Sequence, residues 1–371
     1  MKDKEKILIL YPGSHLAYSP SILNLYDCLL PYFEVTIVSL PPAIWSDQKV
    51  SDRNVSYIQY KKVSNVHFKL VYFFKKIFDS KWQLSYNDYV FIRYLNKTVS
   101  SEYTHVIAVD TSSLLATQLS TFKNQKVHFL SLEIYDKDQF LPCIDFSRIE
   151  SILIQSKVRL EYYVKDRHQK YFIVPNAPIY KKLEKAENKL EDILYCGTVT
   201  DYFGFYSILN FLKTYQDYKL TVKGAVNKEN RDKIALEYGD LLKENRLTID
   251  SSYASEEDIL DYIKNYKIGV CFYDIRYENI NKFNYYTAPS GKLFKYLAAG
   301  IPVIVNNLIG LTEVLDRFQV GAVVNDLEPE SIYKAILSIN NNYEEWSANC
   351  MVAAQHYDFK KAIDVFIEDY K

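Results

Sequence analysis

The stretch APSGKLFKYLAAGIPVIVN, Ala288 to Asn306, divides by elementary rules into a turn, a helix and a strand. Pro289, Ser290 and Gly291 do not readily continue a helix and form the turn. Lys292 to Ala299 is expected to be a short helix, with Leu293, Phe294, Leu297 and Ala298 on one apolar face. Gly300 ends it and Pro302 keeps it from resuming. Val303, Ile304 and Val305 then form a short buried strand. The N-terminus of a helix presents unpaired N–H groups and a partial positive charge, and Lys292 adds a full charge in the first turn. Small residues, helix start and lysine together suit a phosphate. They also suit an ordinary capped helix of an α/β domain, and the stretch alone leaves both open.

The same grammar runs outward in both directions. Upstream, Ile193 to Cys196 is a strand, turned by Gly197 and Thr198 into a helix at Phe205 to Tyr215. Lys219 to Val222 is the next strand, followed by Lys223-Gly224, and Leu247 to Asp250 another. Ser255 to Asp258 is a capping sequence, and Ile268 to Tyr273 a strand ending at Asp274. The segment from Asp274 to Tyr286 is aromatic, without clear periodicity, and is expected to be a long loop. Downstream come Gly310-Leu-Thr-Glu313, a strand at Ala322 to Val324, a helix from Glu328 to Asn340, and a mostly helical end from Tyr343 to Lys371.

The first half repeats the pattern. Ile7 to Tyr11 is a continuous apolar run closed by Pro12-Gly13, the signature of a parallel strand buried on both faces. Ile22, Leu25, Tyr26, Leu29 and Leu30 recur at helical spacing. Further strands are expected at Val35 to Leu40, Val55 to Tyr60, His105 to Asp110, Val127 to Leu132, Ser151 to Gln155 and Tyr171 to Val174. Thr111-Ser112-Ser113 is expected to cap the helix after Asp110. Alternating strands and helices make this a doubly wound α/β protein, whose ligands gather at the carboxyl ends of the strands. Gly13, Ser14, His15, Asp110 and Glu133 fall at such ends. Asp110 is the preferred candidate for a catalytic base, followed by Glu133 and His15. No Gly-x-Gly-x-x-Gly follows the first strand, which argues against NAD.

Val174-Pro-Asn-Ala-Pro178 and the charged run Lys181 to Asp192 mark a change of domain. The 371 residues have room for two ordinary domains, and 48% hydrophobic with 25% charged residues describe a globular chain. A net charge of −1 argues against a nucleic-acid binder. Five widely spaced cysteines fit free thiols in a reducing compartment, and no signal peptide or membrane-spanning run is evident. Lys61 to Trp82 mixes six lysines with aromatic and aliphatic residues, which suits either a peripheral contact with an anionic membrane or a packed helix with snorkelling lysines.

The central stretch resembles the nucleotide-sugar site of bacterial GT-B glycosyltransferases, those of family 4-like or group 1 type. The matching residues are Pro289 to Phe294, Tyr296 to Gly300, and Pro302 to Ile304. The resemblance implies a GT-B fold, two Rossmann-like doubly wound domains facing a central cleft. It implies an acceptor domain over 1–175, a donor domain over 176–350, and a C-terminal helix over 351–371 packing back on the first domain. Gly13 and Ser14 are then acceptor-binding, and Gly197, Thr198, Lys223, Ser290, Gly291, Lys292 and Glu313 donor-binding. Lys295 stands where relatives usually have Glu, and Thr287 stands at the position of its partner acid, so the retaining or inverting outcome stays open. On the reading that the sequence holds no Asp-x-Asp pair, the expected route uses no metal and no cofactor, the leaving diphosphate being met by Lys292 and the helix N-terminus. The resemblance further implies a UDP-sugar donor, a glycan, lipid-linked or glycoconjugate acceptor, and a role in surface polysaccharide synthesis; the free thiols point to a cytoplasmic enzyme, and the membrane reading of Lys61 to Trp82 would set it at the inner face of the membrane. The alternative is a nucleotide-sugar-binding co-activator subunit without catalysis.

Overall fold

A computed structural model describes residues 4–41, 50, 52–58, 69, 86–98, 102–120, 122, 124–136, 138–164, 169–184, 186, 188–252, 254–278 and 280–371. The basic, aromatic stretch 61–82, Lys69 apart, lies outside the described residues. The chain forms two compact units, Met1–Val174 with Lys360–Lys371, and Pro175–Phe359.

The first unit is built on seven parallel strands: β1 Lys6–Tyr11, β2 Glu34–Ser39, β3 Val55–Tyr57, β4 His105–Val109, β5 Lys126–Ser131, β6 Ser151–Ile154 and β7 Tyr171–Ile173. Their order across the sheet is β3-β2-β1-β4-β5-β6-β7. Ile7 pairs with Val35 of β2 on one side and with His105 of β4 on the other. Ile7 to Leu10 are fully buried, as strands covered on both faces require. The strand order reverses between β1 and β4, so the chain leaves these two neighbours in opposite directions and opens a crevice at Pro12-Gly13 and Asp110. The helix Phe359–Tyr370 belongs to this unit through Phe366 and Tyr370, whose rings meet His128 and Phe172.

The second unit carries β8 Leu190–Cys196, β9 Leu220–Lys223, β10 Leu247–Asp250, β11 Tyr266–Cys271, β12 Val303–Asn306 and β13 Gly321–Val324, all parallel. The order β10-β9-β8-β11-β12-β13 repeats the first unit's plan, with the reversal between β8 and β11. Gly197 and Phe272-Tyr273 therefore sit at this unit's switch point.

Most expected elements are present within a residue or two, and the departures have local causes. The helix after β4 begins at Asp110, not beyond it, with Val109 at its N-cap and no side-chain cap. Thr111 and Ser113 thus lie in its first turn instead of capping it, and the Thr111 hydroxyl turns to Asp138 at 2.6 Å. The segment Asp274 to Tyr286 is not all loop, because Lys282–Thr287 forms a short helix. The C-terminal end is two helices, Tyr343–His356 and Phe359–Tyr370. The helices Tyr86–Thr98, Lys228–Glu237 and Gly239–Lys243 had no counterpart in the sequence reading; Lys228–Glu237 is strongly polar and shows no apolar stripe. Ser255 does form the capping box with Asp258. All five cysteines are free, and four are buried.

Candidate functional sites in the two units

In the first unit Asp110 has the geometry of a working residue. Its φ is +56°, a left-handed conformation that a non-glycine residue adopts only when its surroundings impose it. One carboxylate oxygen, Oδ1, accepts hydrogen bonds from the backbone N–H groups of Leu132 and Glu133, at 2.8 and 2.9 Å. Those amides belong to the segment just beyond β5, so the strand order itself brings them to Asp110. Burial outweighs these bonds and pushes the Asp110 carboxyl up to about 7, with the Glu133 charge adding to the rise and Arg159 opposing it. A carboxyl that titrates near neutrality can both accept and release a proton at working pH. A cavity of about 340 Å3 opens beside it, lined by Pro12, Thr111, Ser112, Tyr135 and Asp138 among others.

The other expected residues of this unit divide. Glu133 is exposed beyond β5 and joins the cluster through its backbone and its charge. Gly13 and Ser14 form the turn after β1, where the Gly13 carbonyl accepts from the Ser39 hydroxyl at 2.9 Å. His15 is exposed, starts the short turn Leu16–Tyr18, and does not line the cavity. Arg159 is the residue sequence reasoning missed. It is fully buried, donates to the Leu132 carbonyl at 2.9 Å, and lends positive charge to Asp110. Only its place on the short helix Lys157–Tyr163 hints at it, since nothing in the local pattern marks a buried arginine. An Asp-x-Asp sequence does exist, Asp136-Lys137-Asp138, contrary to the reading behind the metal-free route. Asp138 uses its carboxylate on Thr111 and on the backbone N–H groups of Phe140 and Leu141, which makes it a brace of this loop.

In the second unit the stretch Ala288 to Asn306 folds as expected. The helix Gly291–Ala298 starts at Ser290, whose hydroxyl oxygen accepts from the Lys292 N–H at 3.3 Å. Ser290 is buried, and its hydroxyl is 2.8 Å from that of Tyr273, the donor, so it is a structural cap. Tyr273 is held in turn by Asn306, whose side-chain amide exchanges two hydrogen bonds with the Tyr273 backbone. Gly197, at the carboxyl end of β8, has φ +133°, and a Cβ there would lie 3.1 Å from Cδ of Lys292. Gly224 is tighter still: a Cβ would stand 2.0 Å from the Gly197 carbonyl oxygen. Two glycines thus let two loops and the lysine stem approach closely at the switch point. Thr198 is exposed beside them, its carbonyl accepting from the Tyr195 hydroxyl at 2.8 Å. Gly291 lies against Asn176 of the same unit.

Lys292 and Lys223 differ in availability. The Lys223 ammonium is 2.7 Å from both Asp250 and the Ser252 hydroxyl, and this contact pulls the Asp250 carboxyl down to about 2. Its charge is already matched, which disfavours the expected donor-binding role. The Lys292 Nζ is enclosed and has no hydrogen-bond partner among the described residues. Glu313 sits in the second turn of the helix Ile309–Phe318, exposed. Thr287 is buried with its hydroxyl donated to the Phe283 carbonyl at 2.8 Å, and Lys295 lies in the helix's last turn, so no carboxylate occupies either position.

The chain has the GT-B fold, two units each built on a parallel sheet in the Rossmann order. Residues 202–356 match the family model described as Glucosyltransferase 3-like, C-terminal domain. Among solved structures, the Anabaena protein HepE in complex with UDP superposes with a TM-score of 0.70 at 13% identity, covering 98% of this chain and 99% of that one. A glycosyltransferase from Rickettsia africae gives 0.67 at 13%, with 99% and 98% covered. The lipopolysaccharide outer core galactosyltransferase WaaB gives 0.63 at 14%, with 99% and 100% covered. No curated protein matches the sequence.

Proposed function

We propose that this chain is a glycosyltransferase that moves a sugar from a nucleoside diphosphate, UDP, to a glycan, lipid-linked or glycoconjugate acceptor in the making of a bacterial surface polysaccharide. The carrying observation is Lys292, without a hydrogen-bond partner among the described residues, in the first turn of a capped helix beside the Gly197 and Gly224 loops. Departure of a diphosphate develops negative charge, and a helix N-terminus with a lysine offsets it without a metal. The UDP complex of HepE and the family model over residues 202–356 support the nucleotide.

Asp110 is the general base of this reading, taking the proton of the acceptor hydroxyl, which is the requirement of an inverting transfer. Its carboxyl titrates near 7 and faces an open cavity, which supports the role. Gly13, Ser14 and Glu133 belong to the acceptor side in the same reading. A second reading, a donor-binding co-activator subunit without turnover, is favoured by Thr287 and Lys295 standing where relatives carry acids.

Calorimetric titration with UDP, GDP, CMP and dTDP, with and without EDTA, tests the nucleotide. Tight binding of UDP alone, indifferent to EDTA, is the expected result; binding of none of them sinks the reading. Release of UDP from UDP-glucose by the purified single chain then separates the enzyme from the co-activator.

A further inference from the structure

The Lys292 side chain has an arrangement that phosphate binding by itself does not explain. Its stem crosses Gly197, and its Nζ lies 4.2 Å from the centre of the Phe203 ring, 5.2 Å from that of Tyr195 and 5.3 Å from that of Tyr273. These three rings come from the turn Asp201–Phe203, from β8 and from the segment just beyond β11. Tyr273 is rigidly placed by its bonds to Asn306 and Ser290. Phe203 is braced by the rings of Tyr202, Tyr273 and Tyr285.

Among the described residues no anion faces the amine. The polar groups around it are the Cys196 and Cys271 thiols, both held in their neutral form by burial, and Lys295 on the same helix adds like charge near Cys196. Lys223 is tied to Asp250. Ring faces attract an ammonium, but they replace only part of the hydration that burial removes. Burial disfavours the charged form and holds the Lys292 amine below its ordinary range. A lysine on four rotatable bonds stored in this way can be drawn out by a ligand that supplies the missing counter-charge.

We propose that Tyr195, Phe203 and Tyr273 form a resting cage for the Lys292 amine, from which an arriving nucleoside diphosphate draws it, so that nucleotide binding takes up a proton at Lys292. The three aromatic residues are positioning residues that act through the lysine. The proposal rests on the reading that this turn binds a nucleoside diphosphate. The proton comes from the buffer and ends on Nζ, where the diphosphate charge holds it.

The test is calorimetric titration of the full chain with UDP at about pH 8.5 in two buffers of different ionisation enthalpy, Tris and EPPS. The expected result is a net uptake of a fraction of a proton per UDP bound. Lys292→Arg, whose guanidinium is charged at every working pH, should bind UDP without that uptake. Phe203→Leu, which opens the cage to water, should bind UDP within about threefold of the parent and show a smaller uptake. UDP binding with no buffer dependence in the parent overturns the cage and leaves the nucleotide reading standing. Uptake that persists in Lys292→Arg assigns the proton elsewhere and also overturns it. Uptake unchanged in a correctly folded Phe203→Leu removes the aromatic residues from the account; if that variant does not fold, the Lys292→Arg comparison decides. No binding of UDP by the parent ends both the cage and the reading beneath it.

Discussion

Asp110→Asn should make this protein more stable at alkaline pH while slowing the proposed sugar transfer. The substitution keeps what the fold uses. Asparagine accepts the left-handed φ of +56° as readily as aspartate, and its Oδ1 can receive both backbone N–H groups of Leu132 and Glu133. It removes the buried charge. The carboxyl ionises at 3.8 in its ordinary state and at about 7 in the folded protein. Below 3.8 both the folded and unfolded states hold the proton, and the aspartate costs nothing. As pH rises from there towards 7 the unfolded chain ionises while the folded one does not, so stability drains away. Above 7 the penalty is complete and constant. Each pH unit of that gap is worth about 1.4 kcal/mol, so roughly 4 kcal/mol separates the variant from the parent above pH 7, shrinking towards zero near pH 4. Urea unfolding at pH 4.5 and 8.5 measures the difference directly. Sugar transfer should fall by about 10²- to 10⁴-fold, the usual contribution of a general base, with UDP affinity unchanged. A variant that is no more stable than the parent at pH 8.5 would refute the buried-charge argument. One that keeps full transfer activity would remove Asp110 from the chemistry.

Three further outcomes follow from the same contacts. Gly224→Ala should cost about 3 kcal/mol or more and weaken UDP binding, because its Cβ would stand 2.0 Å from a backbone oxygen that cannot rotate away; a thermal melt and a UDP titration check both effects. Ser290→Ala removes the helix cap and the partner of the Tyr273 hydroxyl, so a loss of about 1–2 kcal/mol in unfolding free energy is expected, along with weaker UDP binding. His105 and His128 are fully buried, stacked at 5.2 Å, and bonded in a chain from Glu5 to Ser151; burial holds both below the ordinary histidine range. The unfolded chain therefore gains protons first as pH falls through about 6.5, and stability should drop there; His128→Phe should flatten that acid limb in unfolding measured between pH 7.5 and 5.

The legibility of the fold came from its strands. Ile7 to Tyr11 and Val303 to Val305 are short apolar runs beside turn residues, the pattern of a strand buried on both faces. Helices with an apolar stripe, such as Pro20–Leu29 and Gly291–Ala298, were equally plain, while Lys228–Glu237 is mostly polar, carries no such stripe, and was not. The placing of Asp110 and Lys292 at strand or helix ends was also legible, because chain order puts them there.

What the sequence determined by itself was the set of local elements, the α/β class and the residues at the carboxyl ends of the strands, since periodicity, caps and turn residues act within a few positions of one another. Tertiary structure alone decided what each charged group does. Lys223 and Lys292 look alike in sequence, yet Asp250 lies 27 residues beyond Lys223 and matches its charge, while Lys292 meets rings from three separate segments and, among the described residues, no anion. Asp110 acquires its character from amides 22 and 23 residues away and from the burial that the strand order imposes. Charge and proton affinity depend on which groups are desolvated together, and that is a property of packing between distant segments, which no local pattern encodes.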